Sequence, residues 1–237
     1  IFKLKAGLLE KHMSSNVQIS LLRAVWASAL YHADARHMRY QNPLTDKICN
    51  DAFDWLMSKY QENHRKYHNL NHLTFLFGLR KIHAGTSFVR TRRAMFFFFH
   101  DAIYNIPSSD NELKSAEKAR VYMHGMGFTA QDIDFVYDTI VLSTHTSETS
   151  DSMQQELLDA DLAILGSDDS IYQKYVQDIR DEYSLVPQDV WNEKRQEFLK
   201  YMLDKPKIYQ HPLIRIQYEQ KARENMLNEL MLLKNQS

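Results

Sequence analysis

Apolar residues recur along this chain at helical spacing almost from end to end. Leu22, Val25, Trp26, Ala29 and Ala33 form the stripe of a first helix within about Asn16–His37. Pro43 marks a turn, and a second helix is expected over Thr45–Tyr60. The polar stretch Gln61–Asn69 interrupts the pattern, which resumes at Leu70, Leu73, Leu76, Phe77 and Ile82, with Gly85 closing that helix. Thr86 or Ser87 suits the cap of the next helix, which runs through an apolar block to about Tyr104. After the break at Pro107-Ser108-Ser109, a helix is expected over about Asp110–His124, with Gly125 and Gly127 placed to stop it. Ile133, Val136, Tyr137, Ile140 and Val141 make a further stripe, and Leu157–Leu165 is an apolar segment ending at Gly166. Three more helices are expected near Ser170–Tyr183, Pro187–Met202 and Pro212–Leu233, two of them opened by proline, which a helix start tolerates. No stretch alternates long enough for a sheet, and no repeat or Ser/Gly-rich linker divides the chain. The expected fold is all-α: one continuous domain over residues 1–237, a bundle of about nine or ten helices.

Composition narrows this further. Among 237 residues there are only 6 glycines and 5 prolines, too few for the many tight turns of a sandwich or barrel. Lys and Arg number 29 against 30 Asp and Glu, a net charge of -1, which argues against a dedicated nucleic-acid binder or a polybasic membrane-surface protein. No apolar run approaches the ~18 residues of a membrane span; the longest is Ala94–Phe99. The single Cys49 excludes an internal disulfide framework and a multi-cysteine zinc site, and is expected as a buried small hydrophobe. The sequence starts Ile1-Phe2-Lys3 without methionine, so a few N-terminal residues are expected to be missing, and what is present contains no signal peptide. The expected setting is reducing and cytoplasmic. The 11 histidines are the first hint of chemistry.

Three segments concentrate that hint. In Ala94–Asn105 (AMFFFFHDAIYN), four consecutive phenylalanines leave no polar face, so the helix is expected to be surrounded by protein, and His100 and Asp101 follow directly. A buried carboxylate needs compensation: either a divalent cation, or a His–Asp hydrogen bond, unless the pair faces solvent at the helix end. In Arg65–Leu73 (RKYHNLNHL), His68 and His72 are four apart and would share one helix face, either as metal ligands or as a wet surface pair. This is not the HExxH protease pattern, because Asn69 stands where the glutamate would be. In Leu157–Gly166, Asp159 and Asp161 interrupt an apolar run and, two apart on a helix, should face opposite ways, one inward and one to solvent. The inward one needs a cation, hydrogen-bond donors or a capping role. Together, His68, His100, Asp101 and Asp161 supply two imidazoles and two carboxylates, a set suited to one divalent ion such as Mn, Fe, Co, Ni, Zn or Mg. With no thiolate among them, an open catalytic site fits better than a closed structural one.

The order H…HD…D, with the dipeptide ending an apolar helix, resembles the HD superfamily of metal-dependent phosphohydrolases. Its neighbours sharpen the likeness to a bacterial branch of predicted phosphohydrolases. These are Tyr67-His68-Asn69 with His72, Phe99-His100-Asp101-Ala102-Ile103-Tyr104, Asn111-Glu112 with Ser115-Ala116, and Asp159-Ala160-Asp161-Leu162 with Gly166. The likeness covers about residues 67–166. It implies an all-α fold in which His68, His100, Asp101 and Asp161 hold one metal ion. Asp161 is preferred over Asp159 because it precedes the leucine and the downstream glycine.

The implied activity is hydrolysis of a phosphate ester or anhydride of a small phosphorylated molecule, a nucleotide first among them, by a metal-activated water. The alternative is a catalytically silent metal- or nucleotide-binding regulatory or interaction module on the same fold. Some members of the superfamily hold two metals; with no second HD pair here a mononuclear site is expected, and His72 and His145 are the residues that would overturn that. Glu112 is the candidate proton-transfer group, with His72 and His145 the other candidate catalytic residues. Ser109-x-x-Glu112 equally fits a capping box. Lys118, Arg65 and Lys66 are read as solvated charges ahead of phosphate contacts, and Arg90, Arg92 and Arg93 as surface. His12, His32, His37, His64, His83, His124 and His211 receive no role.

Overall fold

The computed structural model describes residues 13–37, 43–79, 86–106 and 108–234. Among these residues it is all-helical, with ten α-helices and no strand. They are α1 Ser15–His37, α2 Pro43–Tyr60, α3 Leu70–Gly78, α4 Ser87–Phe99, α5 Asn111–Gly125, α6 Ala130–Leu142, α7 Ser152–Asp161, α8 Asp169–Glu182, α9 Gln188–Asp204 and α10 Pro212–Lys234. The chain groups into two compact units, Ile1–Glu148 and Thr149–Ser237. The expected positions Ile82, Gly85 and Pro107 lie outside the described residues. No described helix is long and apolar enough to cross a membrane.

In the first unit α4 is the central element. Phe96, Phe97, Phe98 and Phe99 are all fully buried, as four phenylalanines in succession demand. Trp26 of α1 meets Phe98 edge-on, with ring centroids 5.1 Å apart; Phe53 of α2 and Phe77 of α3 also pack on Phe98, and Tyr122 of α5 lies 6.0 Å from Phe99. Thr86 caps α4, its side chain accepting from the Val89 amide. Burial reaches back from the phenylalanines to the polar residues Thr91, Arg92 and Arg93. Arg92, only 6% exposed, donates to Asp132 of α6 at 2.8 Å and lies between the rings of Phe88 and Phe135. The expectation that Arg90, Arg92 and Arg93 are all surface residues is therefore corrected: Arg90 is exposed, whereas Arg92 and Arg93 are buried. An arginine tolerates burial when a carboxylate is presented to it, as Asp132 is here. Cys49 is half-buried on α2, not fully buried as expected.

Three boundaries differ from the sequence reading. α3 ends at Gly78, with Leu79 already off the helix, short of the expected close at Gly85. α4 stops at Phe99, ahead of the expected Tyr104, because the following segment is held as a loop by side chains from elsewhere. The segment Leu157–Leu165 splits into the end of α7 and a 3-10 turn over Leu162–Gly166. Gly127 follows α5 at a φ of 77°, a conformation that favours glycine, and so ends that helix as expected.

In the second unit, α10 packs on the 3-10 turn and on α9. Asn225 donates to the carbonyls of Leu165 and Ser167, both at 2.9 Å, which ties the turn to α10. Arg195 of α9 makes a two-pronged bridge to Glu229 of α10, Nε to Oε1 at 2.7 Å and a terminal nitrogen to Oε2 at 3.0 Å, and the Tyr172 hydroxyl of α8 donates to the same carboxylate at 2.5 Å. All three side chains are buried, so the carboxylate's lost hydration is replaced by three donated hydrogen bonds.

Candidate metal centre

The first unit brings His72, His100 and Asp101 together. His100 caps the C-terminus of α4 and is 1% exposed. Its Nδ1 lies 3.0 Å from the Phe97 carbonyl, and a hydrogen bond there places the proton on Nδ1 and leaves Nε2 with a lone pair. His72 comes from α3, a helix started by Asn69, whose side chain accepts from the Asn71 amide at 2.8 Å. Leu70, Leu73 and Leu76 of α3 are buried, and His72 lies on the same side, one turn before Leu76 and 2% exposed. His72 Nε2 stands 3.1 Å from His100 Nε2 and 3.7 Å from Asp101 Oδ2, and Asp101 Oδ2 is 3.0 Å from His100 Nε2. The Asp101 side chain is 18% exposed, so the two enclosed imidazoles end at a carboxylate that solvent can reach.

This donor set fits a divalent ion. Ligands about 2.1 Å from a metal and at right angles to each other stand about 3.0 Å apart. Two of the three separations match that value and the third is wider. The chemistry agrees as well: an Nε2 lone pair fixed by a backbone carbonyl on the far side of the ring, and a carboxylate that would neutralise much of the ion's charge. His72 and His100 belong to a group of side chains able to hold a metal ion.

His68 lies just ahead of α3, not on it, so the shared helix face expected from the four-residue spacing does not exist. The two rings nevertheless come within 5.8 Å of each other, because the backbone turns at Asn69, whose amide donates to the Tyr67 carbonyl at 2.8 Å. His68 is half-buried, and its ring centroid lies 4.2 Å from that of Tyr104. His72 is not part of a wet surface pair. The signal was in the sequence, since His72 falls on the apolar stripe that ends at Leu76.

Three side chains hold the loop that follows His100. Arg65, whose side chain is fully buried, donates to the carbonyls of Asp101 at 2.6 Å, Ala102 at 3.1 Å and His68 at 3.2 Å, and its Nε donates to Glu62 at 3.1 Å. It is therefore no solvated charge, as the sequence suggested, nor is it turned outward to a phosphate. Burial alone would raise the Glu62 carboxyl; hydrogen bonds from Lys59 and Arg65 outweigh that and hold it below its ordinary value. Ser115 accepts from the Ile103 amide at 2.9 Å, and Asn111 bonds the Asn105 amide and carbonyl, each at 3.0 Å. Asn111 and Ser115 of the motif thus brace the loop.

Glu112 sits half-buried in the first turn of α5, and its carboxylate has no hydrogen-bond or ion-pair partner among the described residues. The capping box is not formed. The N-cap is Asp110, which makes no side-chain cap, and Ser109 lies one residue too early. His145 follows α6 at a φ of 55°, half-buried. Lys66 is exposed and donates to the Asn63 carbonyl, and Lys118 is an exposed charge 5.9 Å from the Trp55 ring. In the second unit, one of the two late aspartates faces inward as expected, while the other is half-buried where a solvent-facing side chain was expected. Asp159 is the inward one, 3% exposed, and accepts from the His211 amide at 2.5 Å, so the requirement of a buried carboxylate is met by a backbone donor ahead of α10. Asp161 ends α7 half-buried.

Compared with protein-family models, curated proteins and solved structures, the chain has no match.

Proposed function

We propose that the chain is a metal-dependent phosphohydrolase acting on a small phosphorylated molecule, with a nucleotide the first class to test. The observation that carries this reading is the convergence of His72 Nε2, His100 Nε2 and Asp101 Oδ2 within 3.0–3.7 Å, with the proton of His100 fixed on the opposite nitrogen. A divalent ion bound there supplies Lewis acidity and makes water a stronger acid. The chain's own contributions are distinct from that. His72 and His100 bind through neutral imidazoles. Asp101 offers a carboxylate on the solvent side. Glu112 holds or releases a proton at its carboxyl. His68 and Asp161 are proposed as further ligands on the strength of the ordered motif, and His145 as a polar contact for substrate. Nucleic acid and membrane are not among the proposed partners. The proposed setting is the cytoplasm, where a single half-buried Cys49 stays reduced.

The test is phosphate release from a panel of phosphomonoesters, nucleotides and dinucleotides by protein loaded with Mn or Co. Release that is lost in His100→Ala and Asp101→Ala supports the reading. Protein that holds metal and releases no phosphate from any of them contradicts it, and would leave a silent binding module.

A further inference from the structure

We infer that Arg65 is a positioning residue of the metal centre, acting through the backbone it holds and not on the substrate. This inference rests on the reading of His72, His100 and Asp101 as ligands. α4 ends at Phe99, so the carbonyls that follow have no helical partner of their own. The Arg65 guanidinium takes two of them, those of Asp101 and Ala102, through separate terminal nitrogens at 2.6 and 3.1 Å. One of those nitrogens also donates to the His68 carbonyl at 3.2 Å. A single planar group thus joins the segment leading into α3, which carries His68 and leads to His72, to the residues directly after His100.

The surroundings make the group rigid. Its side chain has no exposure, and the rings of Tyr60 and Tyr104 lie 5.3 and 5.5 Å from its central carbon. Glu62 accepts from its Nε and balances its charge. Lys59 in turn donates to Glu62 at 2.7 Å, which keeps that carboxylate in place. A fixed fork at the Asp101 carbonyl limits rotation of that residue's backbone, and so fixes where its carboxylate points relative to the two imidazoles. Lysine cannot replace it, because a point-like ammonium has no planar fork to serve adjacent carbonyls.

The experiment is a titration of the full chain with Co²⁺, followed by visible absorption, for wild type, Arg65→Ala, Arg65→Lys and His100→Ala. Circular dichroism reports whether each variant keeps its helices. Partners one step removed from a metal typically change affinity 10- to 100-fold when removed, and Arg65→Ala is expected to weaken Co²⁺ binding within that range. Its absorption band is expected to shift, because the ligand geometry is no longer fixed. Arg65→Lys is expected to bind weakly as well, and millimolar methylguanidinium is expected to restore part of the affinity of Arg65→Ala. An Arg65→Ala protein with wild-type affinity and spectrum, beside a His100→Ala protein that binds no Co²⁺, overturns the role of Arg65 while leaving the centre intact. Should Arg65→Ala fail to fold, a folded Arg65→Lys protein with wild-type affinity and spectrum overturns it equally. If wild type binds no Co²⁺, the reading of the centre itself fails, and the role of Arg65 with it.

Discussion

Asn111 holds Asn105 by both faces of its backbone: Oδ1 accepts from the Asn105 amide and Nδ2 donates to the Asn105 carbonyl, each at 3.0 Å. The first residue of α5 thereby anchors the far end of the loop that begins at His100. Ser115, one turn further along, holds the middle through Ile103. Loss of the paired contact in Asn111→Ala should cost about 1–3 kcal/mol, the sum of two ordinary hydrogen bonds. Urea unfolding measures that cost. Hydrogen exchange should quicken at the Ile103 and Asn105 amides and remain unchanged within α1.

Gly166 is a steric requirement of the second unit. A Cβ built there would lie 2.6 Å from the Tyr218 carbonyl oxygen and 2.7 Å from Tyr218 Cβ. The first obstacle is backbone and cannot swing aside. Gly166→Ala should therefore push α10 off the 3-10 turn and destabilise the protein by about 1–3 kcal/mol, the usual cost of overpacking. The lowered midpoint of a thermal melt would report it.

The tyrosines of the second unit make its stability sensitive to alkali. Burial, and then the negative charge of Glu229, push the Tyr172 hydroxyl above its ordinary value of 10.0, against the opposing charge of Arg195. Burial, with Asp159 and Glu219 nearby, pushes Tyr209 well above the same value. A group whose folded pKa is raised binds its proton more tightly when folded. The stabilisation is complete below pH about 10 and is lost as pH climbs above it towards the folded value. The midpoint of unfolding should fall with increasing pH above about 10, and Tyr172→Phe should flatten part of that slope. At neutral pH the same variant should cost about 1.5–3 kcal/mol, because Glu229 loses a donor.

What could be read from the sequence was whatever neighbours in the chain decide. Four successive phenylalanines cannot have a polar side, and α4 is enclosed accordingly. Thr86 caps its helix with a hydroxyl that reaches only three residues ahead. That one of Asp159 and Asp161 turns fully inward followed from helical geometry, whereas the half-burial of Asp161 did not. Arg65 was misread because its partners at Asp101 and Ala102 lie 36 and 37 residues away, and nothing in a polar stretch announces a burial site assembled from distant carbonyls. The end of α4 was misplaced for the same reason, since Arg65, Asn111 and Ser115 favour a loop where local propensity favours helix. Arg92 likewise looked like a surface charge until Asp132 was brought to it. His72 could have been placed correctly, since it shares the stripe of Leu73 and Leu76.

The claim on which the account depends is that His72, His100 and Asp101 together hold one divalent ion. Metal content after dialysis against Mn or Co, measured by elemental analysis, tests it most directly. Wild type should retain about one equivalent, and His72→Ala, His100→Ala and Asp101→Ala should each retain almost none while keeping their helical circular dichroism, as expected when a ligand at the centre of the site is removed. A wild-type protein without metal, or folded variants that keep the full equivalent, would contradict it.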